Sequence, residues 1–140
     1  MSTTAAVAST SAFTWRVRVY WEDTDAGGIV FYANYLKFFE RARTEWLRWL
    51  GIEQQALRES DSVIFIVTDT RVLYFRPARL DDGIDVTAAV SETGPASLTF
   101  SQQARRQGEV LADGEIRVAC VDASTLRPRR FPPSLKRILA

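Results

Sequence analysis

The sequence predicts an α+β domain in which one long helix lies against a single antiparallel sheet. Three observations predict it. Apolar residues recur with a helical period over only one long stretch, from about Val30 to Leu50. Alternation with a period of two marks five other stretches, and the order is strand, long helix, then four strands. A chain of 140 residues has room for one such domain with a core of its own, assigned to residues 13–140 behind a flexible N-terminal tail at 1–12.

Each element follows from its local pattern. Phe13, Trp15, Val17 and Val19 alternate with Thr14, Arg16 and Arg18, as in a strand with one wet face. The Glu22-Asp23-Thr24-Asp25 run breaks that alternation, and Gly27-Gly28 supplies the freedom for a tight turn. A helix is then expected to begin near Phe31 or Tyr32. Tyr35, Phe39, Ala42, Trp46 and Leu50 form its apolar stripe, flanked by Leu36, Phe38, Leu47 and Trp49, with Lys37, Arg41, Thr44 and Arg48 facing away and Arg41 pairing with Glu45. Gly51 is placed to cap it in the left-handed conformation with Ile52 beyond, and a short helix from Ile52 to Arg58 follows.

Ser60-Asp61-Ser62 reads as a turn, and Val63 opens a long strand that runs to Tyr74 before Pro77. Ile84 to Val90, Ser97 to Arg105 and Val110 to Val121 are the remaining strands, the last bulged near Asp113-Gly114. Short loops joining these four strands predict an antiparallel meander. One sheet face covers the helix while the other needs water or a second copy, which favours a homo-oligomer.

Composition narrows function. There is no histidine, so Ser-His-Asp and Cys-His machinery and histidine-based zinc sites are excluded within this chain. The single Cys120 excludes an internal disulfide and sits in an apolar run, as a core thiol does. Eighteen basic against seventeen acidic side chains give no bulk attraction for nucleic acid. Even so, Arg127, Arg129, Arg130, Lys136 and Arg137 crowd the last 14 residues and read either as an anion-binding patch or as a solvated end. With no signal peptide and no long apolar run, the expected location is cytoplasmic.

The acidic turn also has two readings. Asp25 beside Gly27-Gly28 is suited to an Asx-turn with no further role. Alternatively, a carboxylate upstream of a helix start faces the unpaired N–H groups and partial positive charge of that helix, which together make an oxyanion site with a nucleophile or base beside it. Calcium-loop spacing is absent from the acids, and GxGxxG and GxxxxGK spacing from the glycines.

Residues 22–36, EDTDAGGIVFYANYL, running into FFERARTEWL at 38–47, resemble the signature of the hotdog-fold acyl-CoA thioesterases. The likeness is strongest to the branch associated with the bacterial Tol-Pal cell-envelope system, and the 4-hydroxybenzoyl-CoA thioesterases share the same turn. It continues through YFRPARLDD at 74–82, Cys120-Val121-Asp122 and the Pro128-containing tail. The Tol-Pal branch usually has histidine at the position of Tyr32 and tyrosine at that of Trp21; the 4-hydroxybenzoyl-CoA enzymes carry tyrosine at the former.

The resemblance implies a hotdog fold, a five-stranded antiparallel sheet wrapped around one long helix, in a homo-oligomer that is a dimer or a dimer of dimers, the homotetramer. It implies hydrolysis of acyl-CoA thioesters with Asp25 as the family carboxylate and the Tyr32 N–H as donor to the thioester oxygen. Burial among Trp21, Phe31 and Tyr32 is expected to raise the basicity of Asp25. Residues 68–70 of the other subunit are expected near the acyl group. Arg76, Arg79, Arg129 and Arg130 are the candidates for the CoA phosphates, and CoA enters as substrate, with no further cofactor and no metal. Acyl carrier protein and inner-membrane-associated proteins are the further partners implied, the latter with a peripheral position at the inner membrane. Two rival readings are hydration or dehydration of an enoyl-thioester, which usually needs a histidine, and a non-catalytic acyl-thioester-binding or scaffold role at the Tol-Pal system.

Overall fold

The computed structural model describes residues 13–139, so the expected tail at 1–12 lies outside the described residues. β1 (Thr14–Arg18) leads to a single turn of 3-10 helix at Trp21–Asp23, and a second such turn at Tyr32–Asn34 opens α1 (Tyr35–Trp49). α2 (Gln54–Asp61), β2 (Val63–Tyr74), β3 (Gly83–Thr87), β4 (Ala89–Thr93), β5 (Ser97–Arg106), β6 (Glu109–Asp122) and α3 (Pro133–Leu139) follow. The fold is the mixed α+β hotdog, with α1 against a sheet ordered β1-β3-β5-β6-β2 and every pairing antiparallel.

β3 and β4 both pair with β5 and are two halves of one strand interrupted at Ala88, so the sheet has five strand positions. Gln102 explains the break. Its side chain is fully buried and donates to the Thr87 carbonyl at 3.1 Å and to the Phe39 carbonyl of α1 at 3.0 Å. The Thr87 carbonyl is thereby turned to a side chain, and its hydroxyl accepts from the Gln103 N–H. A buried amide without such partners would cost several kcal/mol, roughly 2–7.

α1 is held by its apolar stripe. Tyr35, Phe38, Phe39, Ala42 and Leu47 are buried, the two phenylalanines completely. Leu36 and Trp49, expected beside the stripe, are exposed, since the flanks of α1 reach past the sheet's cover; Trp49 stacks with Phe13 at 5.5 Å. Gly51 ends the helix at φ +87, its N–H on the Arg48 carbonyl and that of Ile52 on the Leu47 carbonyl, the paired bonds of a Schellman cap. On the open side Glu45 pairs with Arg48 instead of Arg41, one turn further along the same face.

Four other expectations are corrected. The sheet is not a simple meander: β3 to β6 follow one another, whereas β2 lies at the far edge beside β6. Its link to β3, residues 75–82, is too long for a tight hairpin and crosses the end of the β5–β6 pair, where the Phe75 and Arg76 N–H groups bond the Leu111 carbonyl. Ser60-Asp61-Ser62 is no free turn, because α2 runs to Asp61 and Ser62 caps it at φ 56. The second short helix therefore spans Gln54–Asp61, beginning and ending later than expected. The bulge expected in the last strand falls at Leu111, two residues before Asp113, where Ala104 faces Ala112 and Arg105 faces Val110; the other shifts fall at Val67/Asp69 and Val90/Glu92. α3 was not expected from the basic tail, although Leu135 is buried.

Gly114 has a packing cause. A Cβ there would lie 2.8 Å from Cε2 of Phe39 and 3.2 Å from Cδ1 of Ile116, so the glycine lets the central phenylalanine of α1 reach the sheet. Gly114→Ala is expected to destabilise the fold by about 1–3 kcal/mol through overpacking, read as a lowered midpoint in denaturant.

Candidate functional site

The acidic turn is a small hairpin. Thr24 bridges to Val30, the Asp25 N–H donates to the Ile29 carbonyl at 2.9 Å, and the Gly28 N–H closes the turn on the Asp25 carbonyl at 3.0 Å. Gly28 has φ +80, which a side chain would strain. Both readings of Asp25 meet here. One carboxylate oxygen, Oδ1, accepts the Gly27 N–H at 2.8 Å as an Asx-turn does, and Oδ2 has no protein donor among the described residues.

Asp23 is the acid that holds the site together. It is buried, and its carboxylate accepts the Tyr20 N–H and the Asn34 side-chain amide, each at 2.8 Å. Its carbonyl accepts the Phe31 N–H at 2.9 Å. One residue thus ties the end of β1, the hairpin and the start of the helix together. Tyr32 follows directly, opening a 3-10 turn closed by the Asn34 N–H on the Phe31 carbonyl. The Tyr32 N–H has no acceptor among the described residues, as the first amide of a helical turn lacks one. The regular α-helix begins three residues later than the expected start, while the turn with the open N–H is at Tyr32 as expected.

The Tyr32 peptide is held from the other side. The Tyr74 hydroxyl, at the end of β2, donates to the Tyr32 carbonyl at 2.9 Å. Tyr74 packs edge-on against Tyr32 and Tyr35, with centroids 6.1 and 5.5 Å apart. Tyr35 in turn accepts the Ala78 N–H at 3.1 Å. Burial pushes the Tyr35 phenol above its ordinary range; the Ala78 bond and the charge of Arg106 pull it back in part. The Tyr74 phenol is raised by burial and by its two tyrosine neighbours, so both hydroxyls stay protonated at neutral pH.

Aromatic cover of Asp25 is not provided by the same chain. Asp25 is exposed, and Trp21, Phe31 and Tyr32 are 78%, 46% and 64% exposed, because the hairpin projects beyond the sheet end with none of the described segments across it. Together with Val67, Leu73, Tyr74 and Phe75 these side chains leave an unusually apolar surface.

The arginines fall into two groups. The 75–82 link passes the hairpin, with Arg79 bridging to Ile29 and Arg76 beside the same aromatic hollow, which Ile29, Tyr32, Tyr35 and Tyr74 also line. Arg76 pairs with Glu109 at 2.6 Å. Arg129 and Arg130 lie at the other end of β2. Arg129 donates to the Asp61 carbonyl at 2.8 Å and pairs with Asp122, and Arg130 lines a hollow with Lys136 against α3. Twelve residues of extended strand separate the two ends by roughly 35 Å, so one chain does not bring the four together. Cys120 is fully buried, which pushes its thiol up despite Arg129 and leaves it a core residue.

Sequence reasoning missed Asp23, Asn34 and Tyr74. The spacing of Asp23 gave nothing to separate it from Asp25. Asn34, a polar residue just ahead of the apolar-periodic run, was the available signal for a carboxylate-to-helix bond.

The chain is similar to known proteins over most of its length. Residues 19–139 match the family described as the thioesterase-like superfamily. The acyl-CoA thioesterase YbgC of Haemophilus influenzae is 44% identical over 126 residues, covering 90% of this chain and 93% of that protein. The acyl-CoA thioester hydrolase YbgC of Escherichia coli is 43% identical over 128 residues, covering 91% and 95%. Among solved structures, a probable thioesterase from Bartonella henselae superposes with a TM-score of 0.81 at 30% identity, covering 85% of this chain and 98% of that one.

Two variants test the frame of the site. Asp23→Ala leaves the part-exposed Tyr20 N–H and the buried Asn34 amide without an acceptor, and a loss of roughly 1–3 kcal/mol, carried by the buried amide, is expected in denaturant unfolding. Asp82 anchors the 75–82 link by accepting the Arg106 guanidinium at 2.8 Å and the Arg79 N–H at 2.9 Å. Burial raises its carboxyl, but these two bonds and the arginine charges outweigh that and hold it below its ordinary value. A lowered folded pKa gives stability that is full above the unfolded value, about 3.9, and fades as pH falls through the folded one. Asp82→Asn should therefore be less stable than the parent at pH 7, with the gap closing below about pH 4.

Proposed function

The chain belongs to the thioesterase-like superfamily as a hotdog-fold acyl-CoA thioesterase closely related to YbgC, and on that premise we propose that it hydrolyses acyl-CoA at the Asp25–Tyr32 hairpin. The observation that carries the assignment is the open N–H of Tyr32 at a helix start held rigid by Asp23 and Tyr74, on the same hairpin as a carboxylate with one free oxygen. The thioester oxygen lies on the Tyr32 N–H, where charge developing in the tetrahedral intermediate meets a preorganised dipole. Asp25 Oδ2 then attacks the carbonyl carbon, giving a mixed anhydride that water opens, or it takes a proton from the attacking water; CoA leaves as its thiolate in either case.

The rest of the site comes from a second copy. β2 is an edge strand with apolar side chains exposed at Val67, Leu73 and Tyr74, which favours its antiparallel pairing with β2 of another chain. That pairing sets the Val63 end of one β2 beside the Tyr74 end of the other. Arg129 and Arg130 of one copy then approach Asp25, Tyr32, Arg76 and Arg79 of its partner, and the four arginines share the CoA phosphates. Residues 68–70 meet the acyl group across the same seam, and the exposed aromatics of the hairpin are covered, with two such dimers forming the tetramer. No helix among the described residues is long and apolar enough to cross a membrane. A cytoplasmic enzyme, peripheral to the inner membrane near the Tol-Pal proteins, is what the resemblance at residues 22–47 implies, and its further partners are acyl carrier protein or proteins of that membrane.

Asp25→Asn should lower kcat/KM for acyl-CoA by about 10²–10⁴ while leaving the unfolding midpoint close to the parent. Parental turnover in this variant sinks the assignment. Charge reversal at Arg76 or Arg129 should raise KM for CoA substrates, and an unchanged KM removes that residue from the phosphate set.

A further inference from the structure

Glu109 touches Arg76 from outside the aromatic hollow beside the hairpin. Arg76 lines that hollow with Tyr32, Tyr35 and Tyr74, and Glu109 does not. The two side chains pair at 2.6 Å, Arg76 Nε to Glu109 Oε2, and no other acid pairs with Arg76 among the described residues. Both stand on fixed backbone. The Phe75 and Arg76 N–H groups bond the Leu111 carbonyl at 2.8 and 3.2 Å. Glu109 opens β6 directly across the ladder from Arg106, after the tight turn that Gln107 and Gly108 make at φ 51 and 84.

The two members of the pair are unequally supplied. Glu109 has a second cation, because its Oε1 lies 3.4 Å from the Arg106 guanidinium. Arg106 is itself anchored on the Asp82 carboxylate at 2.8 Å and on the Pro77 carbonyl at 3.2 Å. When Arg76 turns to a ligand, Glu109 therefore keeps a counter-ion. Arg76 has no second acid among the described residues, so an anion entering the hollow is what replaces Glu109 for it.

We propose that Glu109 limits how tightly this chain holds a phosphate-bearing thioester, by occupying Arg76 in the empty site and competing with the ligand's phosphate for it. The inference rests on the reading that Arg76 meets the CoA phosphates. A phosphate wins the exchange because it offers the planar guanidinium several charged oxygens in matching geometry. Glu109 nevertheless stays close by on Arg106, and its charge opposes that of the phosphate. The effect falls on the nucleotide part of the ligand, and a thiol or thioester without phosphate does not feel it. The Arg76 and Glu109 side chains are 63% and 45% exposed, so water screens the competition and Glu109 acts as a small factor on affinity, not as an all-or-none gate.

Calorimetric titration of the full chain with CoA, and with pantetheine as its phosphate-free part, tests this without hydrolysis. At about 50 mM salt Glu109→Gln should bind CoA about twofold to fivefold more tightly than the parent, and the gain should fade towards about 500 mM. Pantetheine should not distinguish the two chains. Arg76→Met should bind CoA more weakly, and adding Glu109→Gln to it should bring little of the gain back, since the effect passes through Arg76. Damage to the fold would loosen both ligands together, so tightening confined to CoA separates the proposed role from a structural one. Equal or weaker CoA binding by Glu109→Gln overturns the proposal, as does the same gain with pantetheine or the full gain without Arg76. Parental CoA binding by Arg76→Met removes Arg76 from the phosphate set and takes the proposal with it. Weakened CoA binding by Arg76→Met with no gain in Glu109→Gln leaves that set standing and rejects the role of Glu109 alone.

Discussion

The buried carboxylate of Asp23 is the constraint on which the hairpin end of the molecule depends. Its two oxygens and its carbonyl are spent on Tyr20, Asn34 and Phe31, three groups on three segments that would otherwise meet only through loops. A polar group this deep is tolerated only when donors replace its water. Both donors to the carboxylate belong to the segments it joins, so the energy that keeps Asp23 buried also fixes the hairpin against the helix start. Tyr74 then adds the end of β2 to the same cluster. The neighbouring Asp25 is left on a rigid turn with one oxygen spare.

Much of this was legible in the sequence. The long helix, its glycine cap, and the extent of β2 and β6 follow from periodicity and from Gly51, because burial against one layer leaves a regular imprint. The resemblance at residues 22–47 gave the fold family and pointed to Asp25 and Tyr32. Strand order was not legible: alternation records which face is buried and carries nothing about neighbours, so the eight-residue link at 75–82 was the one clue that β2 does not pair with β3. Gly114 was misread for a related reason. A glycine in a strand marks either a bulge or a close approach, and only the position of the Phe39 ring decides between them.

The roles of the two acids were hidden differently. Asp23 and Asp25 differ by one turn of chain and not at all in composition, yet one is buried and saturated while the other is exposed with a free oxygen. The difference arises from Asn34, which reaches back eleven residues to the first and cannot reach the second. Likewise Gln102, an ordinary polar residue by its sequence context, interrupts β3–β4 and orients Arg43 only because α1 crosses beside it.

The middle of the helix keeps its hairpin end and its Arg43 end apart. Phe38 and Phe39 are completely buried between Tyr35 at the hairpin end and Arg43, with Phe39 seated on Gly114. A core packed this closely leaves no channel along the helix for a ligand. Within one chain, Tyr32 and Arg43 cannot share a ligand, and coupling between them would have to pass through the helix backbone. The Phe39 carbonyl already links the two, since it accepts the amide of the same Gln102 that positions Arg43. In the proposed pairing of β2 with β2 the distance is shortened from outside. Val67 on the edge strand itself lines one hollow with Arg43, so the seam that brings a second hairpin alongside β2 also runs past Arg43.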